Sequence, residues 1–130
     1  MALRLPMSGG FETFSNVKDI PFVARHATRT RQEVCKLLKL PVDKPIVLIS
    51  FGGHGLSGLD TDGLSKFKKY TVVNAANSPV GRTRKEAALA ERKGSFVGLN
   101  VEAMYNVGVR YEDLVGTAAA VVTKPGYGII

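Results

Sequence analysis

The sequence has one cysteine, two histidines and no tryptophan. A single cysteine, Cys35, excludes an internal disulfide and fits a reducing compartment. It stands beside Val34 in a helical pattern, where a thiol behaves as a small apolar side chain. Two isolated histidines, His26 and His54, and one cysteine cannot assemble a metal site of the usual ligand spacing. No metal and no cofactor is therefore expected. No apolar run approaches the roughly 20 residues needed to cross a bilayer. The opening MALRLPMSGG has no apolar core of a signal peptide. A cytoplasmic location is the expectation from these absences. Internal repeats and low-complexity segments are absent too.

What is present is the composition of a globular domain. Of the 130 residues, 45% are hydrophobic and 22% charged, enough apolar mass for a core and too much for a disordered chain. Eighteen Lys and Arg against eleven Asp and Glu give a net charge of +7. That balance allows a phosphorylated ligand, an anionic membrane surface or nucleic acid. The cations are scattered, at Arg29 and Arg31, at Lys66, Lys68 and Lys69, and at Arg82, Arg84 and Lys85. No stacking platform of aromatics is read among them, so no specific nucleic-acid partner is expected. Most are read as solvated faces, with a minority near a phosphate.

The order of patterns gives the fold class. Residues 1–27 lack a period and read as an extended N-terminal arm, whose Phe11, Phe14, Ile20 and Phe22 need burial. Thr30 with Glu33 forms a capping box, and Val34, Leu37 and Leu38 then share one helical face. Ile46 to Phe51 is apolar throughout except for Ser50, the mark of a strand covered on both faces in a parallel sheet. A short helix over 63–69 is expected to turn Leu64 and Phe67 inward. Asp60 and Asp62 before it read as helix-capping residues more than as a catalytic carboxylate pair.

A second strand, YTVVNAA, follows. Thr83 with Glu86 then suggests another capping box, good helix formers run from Arg84 to Lys93, and Gly94 closes that helix. SFVGLN predicts a third strand. RYEDLVGTA predicts a helix with Tyr111, Leu114, Val115 and Ala118 inward, and AAVVTK a fourth strand. Strand and helix alternate, so residues 28–130 are expected to form an α/β domain, Rossmann-like and doubly wound, with a mostly parallel sheet.

Two glycine-bearing loops follow strands. The first is Gly52-Gly53-His54-Gly55, after the strongest strand. The second is Gly126-Tyr127-Gly128, after Lys124 and the last strand. Ligands of open α/β sheets bind outside the carboxyl ends of strands. Glycine there lets backbone N–H groups approach a phosphate closely. His54 offers an imidazole to a diphosphate oxygen or stands as an exposed loop residue. Lys124 offers a point charge, and Tyr127 a ring for a base. Neither loop contains the G-x-G-x-x-G fingerprint of dinucleotide binding, and no Walker lysine follows the first.

Together with YEDLVGTAAAVVTKPGYGII, these loops resemble the donor-binding C-terminal domain of GT-B glycosyltransferases of the MurG and diacylglycerol glucosyltransferase type. FVAR at Phe22 and LISFGG ending at Gly53 also resemble the glycosyltransferase-like region of plant arabinokinase. The resemblance spans roughly residues 20–130, sharpest over Ile46–Gly53 and Asp113–Gly128. It implies a UDP-type nucleotide-sugar donor whose diphosphate faces Gly52, Gly53 and the Gly126-Tyr127-Gly128 turn, to which the residues themselves add His54 and Lys124 as candidates. The family pattern has an aspartate where this chain has Ala119.

The resemblance also implies a fragment. The family's helix after the last glycine turn and its N-terminal acceptor domain are not in this sequence, so the chain alone is not expected to catalyse transfer. An edge cut before a helix allows a homodimer through that edge. The alternatives are a non-catalytic nucleotide-binding or regulatory module associated with sugar metabolism, and, from the charge alone, a binder of anionic surfaces.

Overall fold

The computed structural model describes residues 1–51, 58–76 and 89–124. These fall into two units, Met1–Arg25 and His26–Lys124. The first unit holds a short parallel pair, β1 (Ala2–Arg4) and β2 (Val17–Asp19), in the register Ala2↔Val17 to Arg4↔Asp19. The Arg4 guanidinium donates to both oxygens of Asp19, at 2.5 and 2.9 Å, across this register. The aromatics of this unit are not all covered as the sequence suggests. Phe11 and Phe22 are half-buried, while Phe14 is 53% exposed and packs on Phe11 with ring centroids 5.8 Å apart. A three-residue strand pair offers too little surface to bury four large side chains.

The second unit is a five-stranded, mostly parallel α/β sheet of Rossmann-like character. Its strands are β3 (Ile46–Ser50), β4 (Thr71–Ala76), β5 (Ala90–Lys93), β6 (Phe96–Asn100) and β7 (Ala120–Thr123). The order across the sheet is β5-β6-β4-β3-β7. All neighbours run parallel except β5, which pairs antiparallel with β6. The helices are α1 (Arg31–Leu37), α2 (Thr61–Ser65), α3 (Val101–Asn106) and α4 (Tyr111–Thr117).

Alternation along each strand sorts the core into two layers. Ile46 and Leu48 of β3, Val73 and Ala75 of β4, and Val97 and Leu99 of β6 join Val34 and Leu38 of the α1 region, Met104 of α3 and Leu114 of α4. Ile49, Val72 and Phe96 face the other way and pack with Leu59 and Leu64 around α2. The continuous hydrophobicity of β3 thus has the cause expected of it, since both faces are covered. Cys35 lies fully buried in the first layer, and burial pushes its thiol up, away from reactivity.

Local chemistry sets most boundaries. The Thr30–Glu33 capping box is formed, with Glu33 accepting from the Thr30 N–H at 2.7 Å and the Thr30 hydroxyl accepting from the Glu33 N–H at 3.4 Å. Asp60 caps α2 by accepting from the Gly63 N–H at 2.9 Å. Helix α2 therefore starts two residues before the predicted one and ends at Ser65. Phe67 falls in the turns after it and is 53% exposed, against the inward position predicted.

The segment 84–93 departs from its helical propensity. Residues 84–88 lie outside the described residues, and Ala90–Lys93 is a strand. Lys93 pairs with Phe96 across the two-residue loop Gly94-Ser95, with Gly94 at φ +55°. Gly-Ser between two strands is a hairpin signal, because positive φ at the first loop residue matches the twist of the flanking strands. Edge pairing with β6 and the hold of Arg92 on the Leu38 and Lys39 carbonyls, at 3.1 and 2.6 Å, override the helix formers. Helix α3 has no counterpart in the sequence reading. Its signal is Asn100, whose side chain accepts from the Ala103 N–H at 2.9 Å.

Candidate functional site

The sheet order contains a reversal. From β3 the chain steps to β4 and on to β6 on one side, then returns to lay β7 on the other side of β3. The switch point lies between β3 and β7, where connections leave in opposite directions and open a crevice at the carboxyl ends. The two strands run parallel in the register Val47↔Ala120 to Ser50↔Thr123. Phe51 and Lys124 therefore leave the sheet side by side, at the same end. These are the two strands after which the sequence places its glycine loops.

Of the predicted diphosphate residues, Lys124 is described. It is exposed and directly follows β7. Gly52, Gly53, His54, Gly126, Tyr127 and Gly128 lie outside the described residues, as do Gly55 and the Thr83–Glu86 pair. His26 is exposed near the start of the second unit.

Two hydroxyls at this end escaped the sequence reading. Ser50, the polar exception in the β3 run, is 5% exposed and alternates onto the face covered by α4. The Tyr111 hydroxyl, from the first turn of α4, donates to its Oγ at 2.5 Å. Tyr111 packs inward as predicted, but its ring also carries a polar tip to the end of β3. A serine interrupting a buried strand is the signal that could have revealed this pair, because a buried hydroxyl requires a partner.

Helix α4 is fixed at its start by Asp113. This carboxylate is fully buried. Its Oδ1 accepts from the N–H of Thr28 at 2.7 Å, the N–H of Arg29 at 3.1 Å and the Thr28 hydroxyl at 3.2 Å. Its Oδ2 accepts from the Arg110 N–H at 3.0 Å, the backbone half of a capping box. Burial pushes the Asp113 carboxyl up, but the N–H groups of Thr28, Arg110 and Arg29 with the Thr28 hydroxyl outweigh it, leaving it below the usual range. Arg29 adds a bond from Nε to the Gly108 carbonyl at 2.7 Å, and Arg31 donates to the carbonyls of Thr117 and Lys44 at 2.7 and 2.6 Å. These bonds lock the segment before α1 against the start of α4 and the first residue of α1 against its end, and so fix where Tyr111 presents its hydroxyl.

Among the described residues, no group of three or more His, Cys, Asp or Glu is placed to hold a metal ion. Comparison with protein-family models, with curated proteins and with solved structures finds no match. The functional reading therefore rests on the site's own geometry.

Proposed function

We propose that this chain is the donor-binding half of a glycosyltransferase, holding a nucleotide-diphospho-sugar of UDP type at the β3/β7 switch point. The observation that supports it is the parallel adjacency of β3 and β7, the strands preceding the two glycine loops. A diphosphate there would meet backbone N–H groups that glycine leaves accessible and the Lys124 ammonium as a point charge. Positive groups of this kind stabilise a departing diphosphate without a metal. The acceptor and the base that activates it belong to a separate domain, and this chain by itself binds without turnover.

The test is an NMR titration of the full chain with UDP, with uridine as the control lacking phosphates. Backbone donors and one lysine without a complete nucleoside pocket give an expected Kd on the order of 1 mM. Resonances of Ser50, Phe51 and Lys124 should move, and Gly53→Val should weaken binding by blocking backbone approach. Equal responses to uridine and UDP, or shifts confined to the basic stretch 82–93, would refute the reading.

A further inference from the structure

The opposite end of the sheet carries a different chemistry. The connection from α2 to β4 reads Lys66-Phe67-Lys68-Lys69-Tyr70, and all five residues are exposed. The sequence places Phe67 between Lys66 and Lys68, and its side chain turns outward. Its exposure is fixed by backbone turns: the Phe67 N–H donates to Leu64, that of Lys68 to Lys66 and that of Tyr70 to Phe67. The segment ends where the Thr71 N–H donates to the Pro45 carbonyl, at the amino-terminal ends of β4 and β3. The loop entering β3, at this same end of the sheet, adds Val42, 50% exposed; Phe67 is 53% and Tyr70 43% exposed. Lys39, exposed after α1, is tied to this end through Arg92.

We propose that this amino-terminal rim, centred on Phe67 and Lys66, Lys68 and Lys69, docks onto an anionic lipid surface. Charge complementarity selects a polyanionic partner, since Lys39, Lys66, Lys68 and Lys69 are exposed there against the exposed Asp43 of the loop entering β3, and Asp62 is already paired with Lys93. The side-chain types then favour lipid over nucleic acid. Lysine supplies point charges suited to headgroups and no planar fork for reading bases. Two arginines at this rim, Arg92 and Arg31, are each committed to backbone carbonyls. Val42 has no stacking face, yet like Phe67 it gains from leaving water for the acyl boundary. Tyr70 has the amphipathic ring enriched at membrane interfaces. The rim lies at the end of the sheet away from the β3/β7 crevice, so docking leaves that crevice open. This inference does not depend on the donor reading.

The chain has no tryptophan, so Phe67→Trp creates a single-site reporter. The full-length variant is mixed with phosphatidylcholine vesicles, with and without 30% phosphatidylserine, and emission and co-sedimentation are read. Tyr105→Trp, at a 49% exposed site on α3, serves as the control. Expected are binding to the anionic vesicles alone, a blue shift at position 67 and none at 105. Joint replacement of Lys66, Lys68 and Lys69 by Gln should weaken binding by about 100-fold, near fivefold per lysine. Phe67→Ala should weaken it by about tenfold. Equal binding to neutral vesicles, no binding to anionic ones, or no blue shift at 67 when the chain binds would overturn the proposal. Tighter binding to single-stranded polyuridylate than to the anionic vesicles would assign the rim to nucleic acid instead.

Discussion

Replacing Asp113 should destabilise the second unit by an amount readable from its bonds. The carboxylate accepts from three N–H groups and one hydroxyl. Bonds to a charged acceptor contribute about 1.5–3 kcal/mol each, and buried donors left unpaired cost about 1–3 kcal/mol. Thr28 and Arg110 are exposed residues, so water can replace part of what is lost there. Asp113→Ala is therefore expected to cost about 3–4 kcal/mol, well short of the summed bonds. Asp113→Asn retains one acceptor oxygen but turns an NH2 group toward an N–H, for a cost of about 2 kcal/mol. Against a total stability of about 5–15 kcal/mol, either loss is easily measured.

The pH dependence separates this from simple loss of packing. The folded Asp113 carboxyl titrates below its unfolded value of about 3.9. The folded state therefore binds fewer protons, and the contribution is complete above about pH 5. It is lost as pH falls through the folded pKa. Urea unfolding followed by circular dichroism, from pH 7 to pH 3, should show a constant gap between wild type and Asp113→Asn down to about pH 5. The gap should narrow below pH 4, with the urea dependence unchanged. A gap under about 0.5 kcal/mol at pH 7, or one that persists undiminished at pH 3, would refute the assignment of the carboxylate as the anchor.

Two further substitutions have outcomes set by the same fold. Gly94→Ala should lower stability by about 2 kcal/mol in the same urea assay, since its Cβ would meet the Ser65 carbonyl oxygen at 2.6 Å and φ is +55°; a neutral substitution would argue against the hairpin. Tyr111→Phe should cost about 1 kcal/mol by leaving the Ser50 hydroxyl without its donor, and wild-type stability would show that the pair is not formed.

The sequence was most legible where one cue decided the structure alone. β3 announced itself by hydrophobicity on both faces, α1 by its capping box, and the mostly parallel sheet by the strand–helix order. It was least legible where a tertiary partner decided. Ala90–Lys93 has helical residue types, and its strand state depends on β6 as a neighbour and on Gly94-Ser95 read as a hairpin turn. Phe67 looked like an inward residue because α2 was expected to continue past Ser65. The Ser50–Tyr111 pair joins positions 61 apart in the chain, a proximity no local pattern encodes. Asp113 opens one of the two stretches where the resemblance is sharpest, but its bonds to Thr28 and Arg29 required the fold.

The bonds that close on Asp113 span 84 and 85 residues. Closing a flexible loop of that size costs about 4 kcal/mol of chain entropy before any contact repays it. On a ribosome adding about 5–20 residues per second, Thr28 and Arg29 emerge some 4–17 s before their acceptor exists. Helix α1, at seven residues, is too short to persist alone through that interval. The segment before α1 is thus made early but held only once Asp113 exists, and the same carboxylate fixes the start of α4, from which Tyr111 reaches the carboxyl end of β3. Assembly of the Ser50–Tyr111 end is thereby tied to completion of the chain through α4, so a nascent chain halted before residue 111 holds β3 without the partner of its terminal serine.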